Sequence, residues 1–143
     1  MKSCILLALF CTLLGTCYAF RQQSAGVRGR LMCGDKPAAN VLVKLMDEDD
    51  GPDPDDTLDS VYTDSEGKFQ LKGDTREMTN IDPEVRIYHD CLDYGLPCQR
   101  EWVIRVPDKY ISSGATPKKF MELGVMNLEV ELEDEDQDCI HRK

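Results

Sequence analysis

The sequence predicts an all-β protein with a two-sheet β-sandwich of about seven strands. Several short segments alternate apolar and polar residues with a period of two, which is typical of strands with one buried face. Turns that contain glycine or proline separate these segments, and none carries a sustained apolar stripe of helical period. Hydrophobic residues make up 41% of the 143 residues, enough for one core and therefore one domain.

The predicted strands are short and follow one another closely. The turn at 64–67 combines acids and a serine with Gly67, which is typical of a hairpin connection. Residues 109–119 contain Gly114 and Pro117 and predict a loop with one turn of helix. The strands are predicted at 27–33, 41–46, 57–63, 68–73, 84–89, 101–106 and 126–132.

Parity along these strands selects the side chains that face the core between the two sheets. His89 continues the inward face of Val85 and Ile87, which predicts a buried, hydrogen-bonded structural histidine. The residues predicted to be buried are Val43, Leu45, Phe69, Leu71, Ile87, Trp102, Ile104, Leu128 and Val130.

Residues 1–19 have the pattern of a cleaved secretory signal peptide. Lys2 precedes an apolar run at 5–14, and Cys17 and Ala19 place small residues at the −3 and −1 positions of a cleavage site. The run is too short to cross a bilayer, so we expect a secreted, extracellular protein that is not transmembrane. The predicted domain occupies 20–143, with a core at about 26–133 and an acidic tail at 133–143.

Four cysteines follow the signal peptide, and an even number in a secreted domain predicts two disulfides. Three pairings are open. The short spacing from Cys91 to Cys98 across a turn-like stretch favours a bond between them, which leaves Cys33 with Cys139. Zinc binding is disfavoured because the closely spaced cysteine pairs of a zinc site are missing.

The formal net charge of −10 disfavours nucleic-acid binding, which depends on clustered basic residues. Residues 47–56 and 129–138 each hold seven acids in ten residues without a base. The first run has enough carboxylates for a weak calcium site, and the alternative is a solvated acidic loop. No cofactor is predicted apart from calcium, whose candidate ligands are Asp47, Asp49, Asp50, Asp53, Asp55 and Asp56.

A small basic group provides candidate contacts to anionic lipid. Lys118 and Lys119 stand beside Phe120, and Arg105 and Lys109 lie nearby in the sequence. Cations next to apolar residues suit anionic headgroups, and the alternative is an ordinary exposed loop. An enzyme is not expected, because the chain has no Gly-x-Ser-x-Gly motif and only two histidines, His89 and the terminal His141.

Several segments together resemble the nematode transthyretin-like family. They are residues 26–33, 41–45, 63–69, 87–91, 107–110 and 123–129, with Cys98, and the resemblance covers about 26–139. It implies a prealbumin-type, transthyretin-like β-sandwich whose first and last strands run parallel as neighbours. This arrangement would also place Cys33 near Cys139.

The resemblance further implies a small secreted protein. Some members of the family are described as extracellular bridging proteins that bind phosphatidylserine on dying cells and a receptor on the phagocyte. We therefore expect a non-enzymatic binding or adaptor module, with an extracellular protein receptor, a phosphatidylserine-type membrane surface, or both, as partners. The alternative is an extracellular carrier of a small apolar ligand, for which a large lined cavity would be required.

Overall fold

The computed structural model describes residues 19–48 and 55–140. Two sheets, each with five described strands, pack as a β-sandwich, which confirms the predicted fold class. The strands are β1 (Arg21–Cys33), β2 (Lys36–Pro37), β3 (Leu42–Asp47), β4 (Asp56–Tyr62), β5 (Lys68–Glu77), β6 (Pro83–His89), β7 (Gln99–Arg105), β8 (Ser112–Ser113), β9 (Met121–Asn127) and β10 (Asp136–Asp138). The predicted signal peptide falls outside the described residues except for Ala19.

Sheet 1 is built around β1, which pairs antiparallel with β5 and parallel with β9. Val27 lies opposite Leu71 on β5 and Met121 on β9. The short strands β2 and β8 pair with the two ends of β1. The parallel neighbours β1 and β9 are the arrangement that the family resemblance implied.

Sheet 2 has the order β10, β7, β6, β3, β4, and all its pairings are antiparallel. Ile87 in β6 lies between Val43 in β3 and Trp102 in β7. The three side chains form one apolar row across sheet 2, and this row faces sheet 1. Because these three residues share the inward parity of their strands, they form the middle of the core.

The predicted core is largely confirmed. Seven of its nine residues are buried, and Ile104 is half-buried against the same cluster. Val130 was wrongly placed, because 55% of its surface is exposed. The strand predicted at 126–132 instead ends at Asn127, whose side chain accepts a hydrogen bond from the Glu129 backbone N–H at 3.1 Å and so caps a turn.

A β-bulge interrupts β9 before it reaches this turn. Arg28 pairs with Glu122 and Arg30 pairs with Val125, so Leu123 and Gly124 together oppose the single residue Gly29. Gly124 has a φ of 68°, a conformation that glycine adopts without steric cost. The extra residue reverses the alternation halfway along β9.

The turn at 64–67 is present, but it does not form a hairpin within one sheet. The Asp64 carboxylate accepts hydrogen bonds from the backbone N–H groups of Glu66 and Lys68, both at 2.9 Å. Gly67 has a φ of 76°, and a Cβ there would lie 2.2 Å from the Leu31 carbonyl oxygen. The flanking strands β4 and β5 belong to different sheets, so the turn carries the chain from sheet 2 to sheet 1.

The disulfides join Cys33 to Cys91 and Cys98 to Cys139, so the favoured pairing was wrong. Cys33 ends β1 and Cys91 follows β6, so their bond links the two sheets across a Cα–Cα distance of 5.8 Å. Cys98 and Cys139 meet because β10 pairs with β7, with Asp138 opposite Gln99. We call this end of the sandwich, formed by 33–40, 90–98 and 128–140, the disulfide end.

Candidate functional site

A buried ion pair at the disulfide end joins the C-terminal segment to the sandwich. Arg100 in β7 donates hydrogen bonds from Nε and Nη2 to the Glu135 carboxylate, the latter at 2.6 Å. The Trp102 indole N–H donates to the same carboxylate at 2.9 Å. Arg100 also donates to the carbonyl oxygens of Cys91, Leu128 and Val130 at 2.7 to 2.9 Å.

This network sets the ionisation of both charged groups. The hydrogen bond from Arg100 lowers the pKa of Glu135 to about 2, against the opposing effect of burial. The same hydrogen bond raises the pKa of Arg100. Both groups are therefore charged at neutral pH, and their hydrogen bonds offset the cost of removing them from water.

The ion pair changes the interpretation of the second acidic run. Glu135 points into the sandwich, the next residues form β10 against β7, and Cys139 is bonded to Cys98. The packed structure also starts at Arg21, earlier than the predicted core boundary. The sequence predicted neither Arg100 nor Glu135 as a structural or functional residue.

His89 has the structural role that its parity predicts. It is 2% exposed, and its ring packs edge-to-face on Trp102 with centroids 5.5 Å apart. Its Nδ1 accepts a hydrogen bond from the Cys91 backbone N–H at 3.2 Å. Burial, together with the nearby positive charge of Arg100, lowers the pKa of His89 to about 4, so the ring is neutral at physiological pH.

Three of the six candidate calcium ligands are described, and two have protein partners. Asp47 ends β3, is 1% exposed and accepts a hydrogen bond from the Asp82 backbone N–H at 2.8 Å. Asp55 pairs with Arg86 at 2.5 Å, and Asp56 is exposed at the start of β4. Within 19–48 and 55–140, no cluster of three or more potential ligands could hold a metal ion. Asp49, Asp50 and Asp53 lie outside the described residues.

The four candidate lipid contacts fall into two separate places. Arg105 ends β7 beside the acidic loop and pairs with Glu48 at 3.1 Å, and Lys109 follows it in a single turn of 3₁₀-helix. Lys118 and Lys119 precede β9, whose first residue pairs with the middle of β1. All four side chains are exposed, but Lys118 and Lys119 lead into the strand beside the middle of β1, whereas Lys109 precedes β8 at the first end of β1.

Sheet 1 presents further cations on its outer surface, and we call Arg28, Arg30, Lys68 and Lys72 the basic face. Arg30 lies directly opposite Lys68, and Lys72 lies opposite Gly26. The ring of Phe120 covers Gly26 so closely that a Cβ at this position would lie only 2.7 Å from it. The Arg28 guanidinium lies 5.6 Å from the centroid of the same ring. The loop with Lys118 and Lys119 therefore adjoins the basic face.

The basic face also contains acids and a groove. Arg28 pairs with Glu122, and Lys68 pairs with Glu66 at 2.9 Å, but these partners are more than half exposed and such pairs are weak. An open groove of about 490 Å³ runs along the face between Arg28, Arg30 and Lys68. Parity could have predicted this surface, because these four basic residues all occupy outward positions of β1 and β5.

A smaller depression of about 230 Å³ lies at the disulfide end. It is lined by the Cys33–Cys91 bond, Tyr88, His89, Gln99 and Leu128. The side chains between the two sheets pack into one continuous core.

Comparison with known proteins identifies the family. The profile of the Transthyretin-like family matches residues 28–107, from the middle of β1 to the residues after β7. The chain belongs to the transthyretin-like family. Transthyretin-like protein 33 of Caenorhabditis elegans is 53% identical over 120 residues, which are 84% of each chain. Transthyretin-like protein 46 of the same nematode is 48% identical, over 94% of this chain and 76% of its own length. Transthyretin-like protein 5 is 46% identical, over 99% of this chain and 100% of its own length.

The family assignment agrees with the covalent structure. Two disulfides in a small domain fit an extracellular protein, because such bonds persist in oxidising compartments. No helix among the described residues has the length and apolar character needed to span a membrane.

Proposed function

We propose that this protein is a secreted, non-enzymatic adaptor that binds anionic phospholipid surfaces through its basic face and the adjoining Lys118–Lys119 loop. The observation that supports this proposal most strongly is the outward row of Arg28, Arg30, Lys68 and Lys72 on a chain whose net charge is −10. Positive charge concentrated on one face of an acidic protein orients that face toward an anionic membrane.

The expected affinity is modest and sensitive to salt. Each basic residue near an anionic membrane contributes about 1 kcal/mol, and the contribution falls off within a Debye length of about 10 Å at 0.1 M salt. The exposed acids Glu66 and Glu122 reduce this attraction, because they pair with Lys68 and Arg28. Phe120 adds a half-buried aromatic ring beside the cations.

The carrier alternative receives less support. A carrier of an apolar molecule requires a lined cavity, whereas the buried apolar side chains between the described strands pack as one cluster. Catalysis is also disfavoured, because His89 is buried and neutral and packs against an indole ring. A calcium-bridged contact through the 47–56 loop stays a second route, and it would place Arg105 and Lys109 near the membrane instead.

Sedimentation with phosphatidylserine liposomes, against phosphatidylcholine controls, tests the proposal. We expect the wild type to bind phosphatidylserine in the presence of chelator and to dissociate as salt rises. The variant Lys118→Glu/Lys119→Glu should lose binding. The matched variant Arg105→Glu/Lys109→Glu, which changes the net charge equally at exposed positions, should retain it.

The other outcomes contradict the proposal. Equal loss in both variants would assign binding to overall charge rather than to the basic face. Binding that disappears with chelator at constant ionic strength would assign it to a calcium bridge. No preference for phosphatidylserine under either condition would exclude recognition of anionic lipid.

A further inference from the structure

The disulfide end exposes an unusual set of large apolar side chains. Leu92, Tyr94 and Leu96 project from the 92–97 loop and are 46%, 86% and 51% exposed. We call these three residues the apolar tip. Exposed apolar residues that occur singly are ordinary on protein surfaces, but three within five residues of one loop indicate an interaction site.

The apolar tip is held in place from both sides. Cys91 before the loop is bonded to Cys33, and Cys98 after it is bonded to Cys139. Leu92 and Tyr94 have φ values of 51° and 56°, which side chains of this size adopt only when the surrounding structure imposes it. A loop that is already ordered loses little conformational entropy when it binds a partner.

The C-terminal segment extends this apolar surface and surrounds it with acids. Ile140 is 87% exposed and follows Cys139, so the Cys98–Cys139 bond places it close to the loop. Val130 and Leu132 are also exposed. The exposed acids interleaved with them are Glu129, Glu131, Glu133 and Asp134, and Asp90 and Asp93 lie on or beside the loop itself.

We infer that the apolar tip and its acidic surroundings are a docking surface for another protein, one with an apolar pocket and a basic rim. The acids disfavour an anionic membrane as the occupant, because like charges would repel. They also disfavour a two-fold dimer, which would bring the same acidic surfaces of two copies together. Rigid aromatic and aliphatic anchors surrounded by charge are typical of the centres of protein interfaces.

This surface is separate from the basic face. Arg28, Lys72 and the Lys118–Lys119 loop lie on the outer side of sheet 1, whereas the apolar tip projects beyond the ends of β6 and β7. The two surfaces therefore belong to different sheets. Docking at the apolar tip does not require lipid binding, so the two proposals fail independently.

The test uses an amphipathic leucine–lysine peptide as a probe and a leucine–glutamate peptide of equal length as its counterpart. Binding is measured by fluorescence anisotropy at low salt and mapped by NMR chemical shifts on the mature protein. We expect the lysine peptide to bind more tightly than the glutamate peptide, with shifts confined to 90–98 and 128–140. The variant Tyr94→Ser/Leu96→Ser should weaken binding by about tenfold or more.

The control variant is Tyr62→Ser/Val103→Ser, which removes two exposed apolar side chains, 61% and 44% exposed, from sheet 2. It should leave peptide binding unchanged. Equal weakening in both variants, shifts outside the disulfide end, or no preference for lysine would overturn the inference. Two further results would overturn the inference as well. If Tyr94→Ser/Leu96→Ser abolishes self-association of the protein, the occupant is a second copy of this chain. If the same variant abolishes binding to vesicles, the occupant is a membrane.

Discussion

Replacing Glu135 with glutamine removes a negative charge from the buried network but keeps the shape of the side chain. Its carboxylate accepts hydrogen bonds from Arg100 and Trp102, and the Arg100 and Glu135 side chains are only 7% and 14% exposed. Breaking a buried ion pair by neutralising one partner costs about 3–5 kcal/mol. The fall of the Glu135 pKa from 4.5 to about 2 corresponds to about 3 kcal/mol of stabilisation, at the lower end of that range.

The sign of the pH dependence follows from the same pKa. Because the folded state favours the ionised carboxylate, this stabilisation is complete above the unfolded pKa of about 4.5 and is lost as the pH falls toward 2. The Glu135→Gln variant should therefore lose about 3 kcal/mol at neutral pH, and its stability should depend less on pH below about 5.

Urea unfolding measures this change, with the fluorescence of the single tryptophan, Trp102, as the signal. We expect a lower midpoint with an unchanged m-value for Glu135→Gln. The exposed residue Glu133 provides the control, and Glu133→Gln should stay within about 0.5 kcal/mol of the wild type. A Glu135→Gln variant as stable as the Glu133→Gln control would refute the assigned role of the ion pair.

Three further predictions concern the disulfide end and the core. Burial lowers the pKa of His89 to about 4, so the contribution of His89 to the free energy of unfolding should be complete above about pH 6.5 and lost as the pH falls toward 4. In urea titrations, a His89→Phe variant with the same pH dependence as the wild type would contradict this. Trp102→Ala, which removes the fluorescence signal, should cost about 3–5 kcal/mol in urea unfolding followed by far-UV circular dichroism, and a loss below about 1 kcal/mol would be inconsistent with the burial of Trp102. The Cys98→Ser/Cys139→Ser variant removes a cross-link over 41 residues and should lower the free energy of unfolding by about 4 kcal/mol. Peptide mapping of the oxidised wild type should recover Cys98 bonded to Cys139, and recovery of Cys98 with Cys91 would contradict the structure.

The sequence was a good guide wherever a local rule determined the structure. Strand parity identified Val43, Ile87 and Trp102 as core residues, because each strand has one face against the opposite sheet. The same rule placed His89 inside. It failed at Val130, because β9 ends at Asn127 and a turn follows, so that strand parity no longer applies there.

The features missed at the disulfide end depend on contacts between distant parts of the chain. Arg100 and Glu135 are 35 residues apart, and nothing local distinguishes Glu135 from the other acids in its run. The disulfide pairing failed for a similar reason. The short spacing of Cys91 and Cys98 favoured a local bond, whereas the pairing of β10 with β7 brings Cys139 to Cys98.

Hydrogen exchange of the mature protein, with and without phosphatidylserine vesicles, tests the central claim most directly. If the basic face contacts the membrane, added protection should be confined to residues 26–30, 68–72 and 118–122. The exchange of the 92–97 loop and of residues 129–140 should stay unchanged, because that end is assigned to a protein partner. Protection at the disulfide end, or none on sheet 1, would contradict the claim that this protein meets anionic membranes through its basic face.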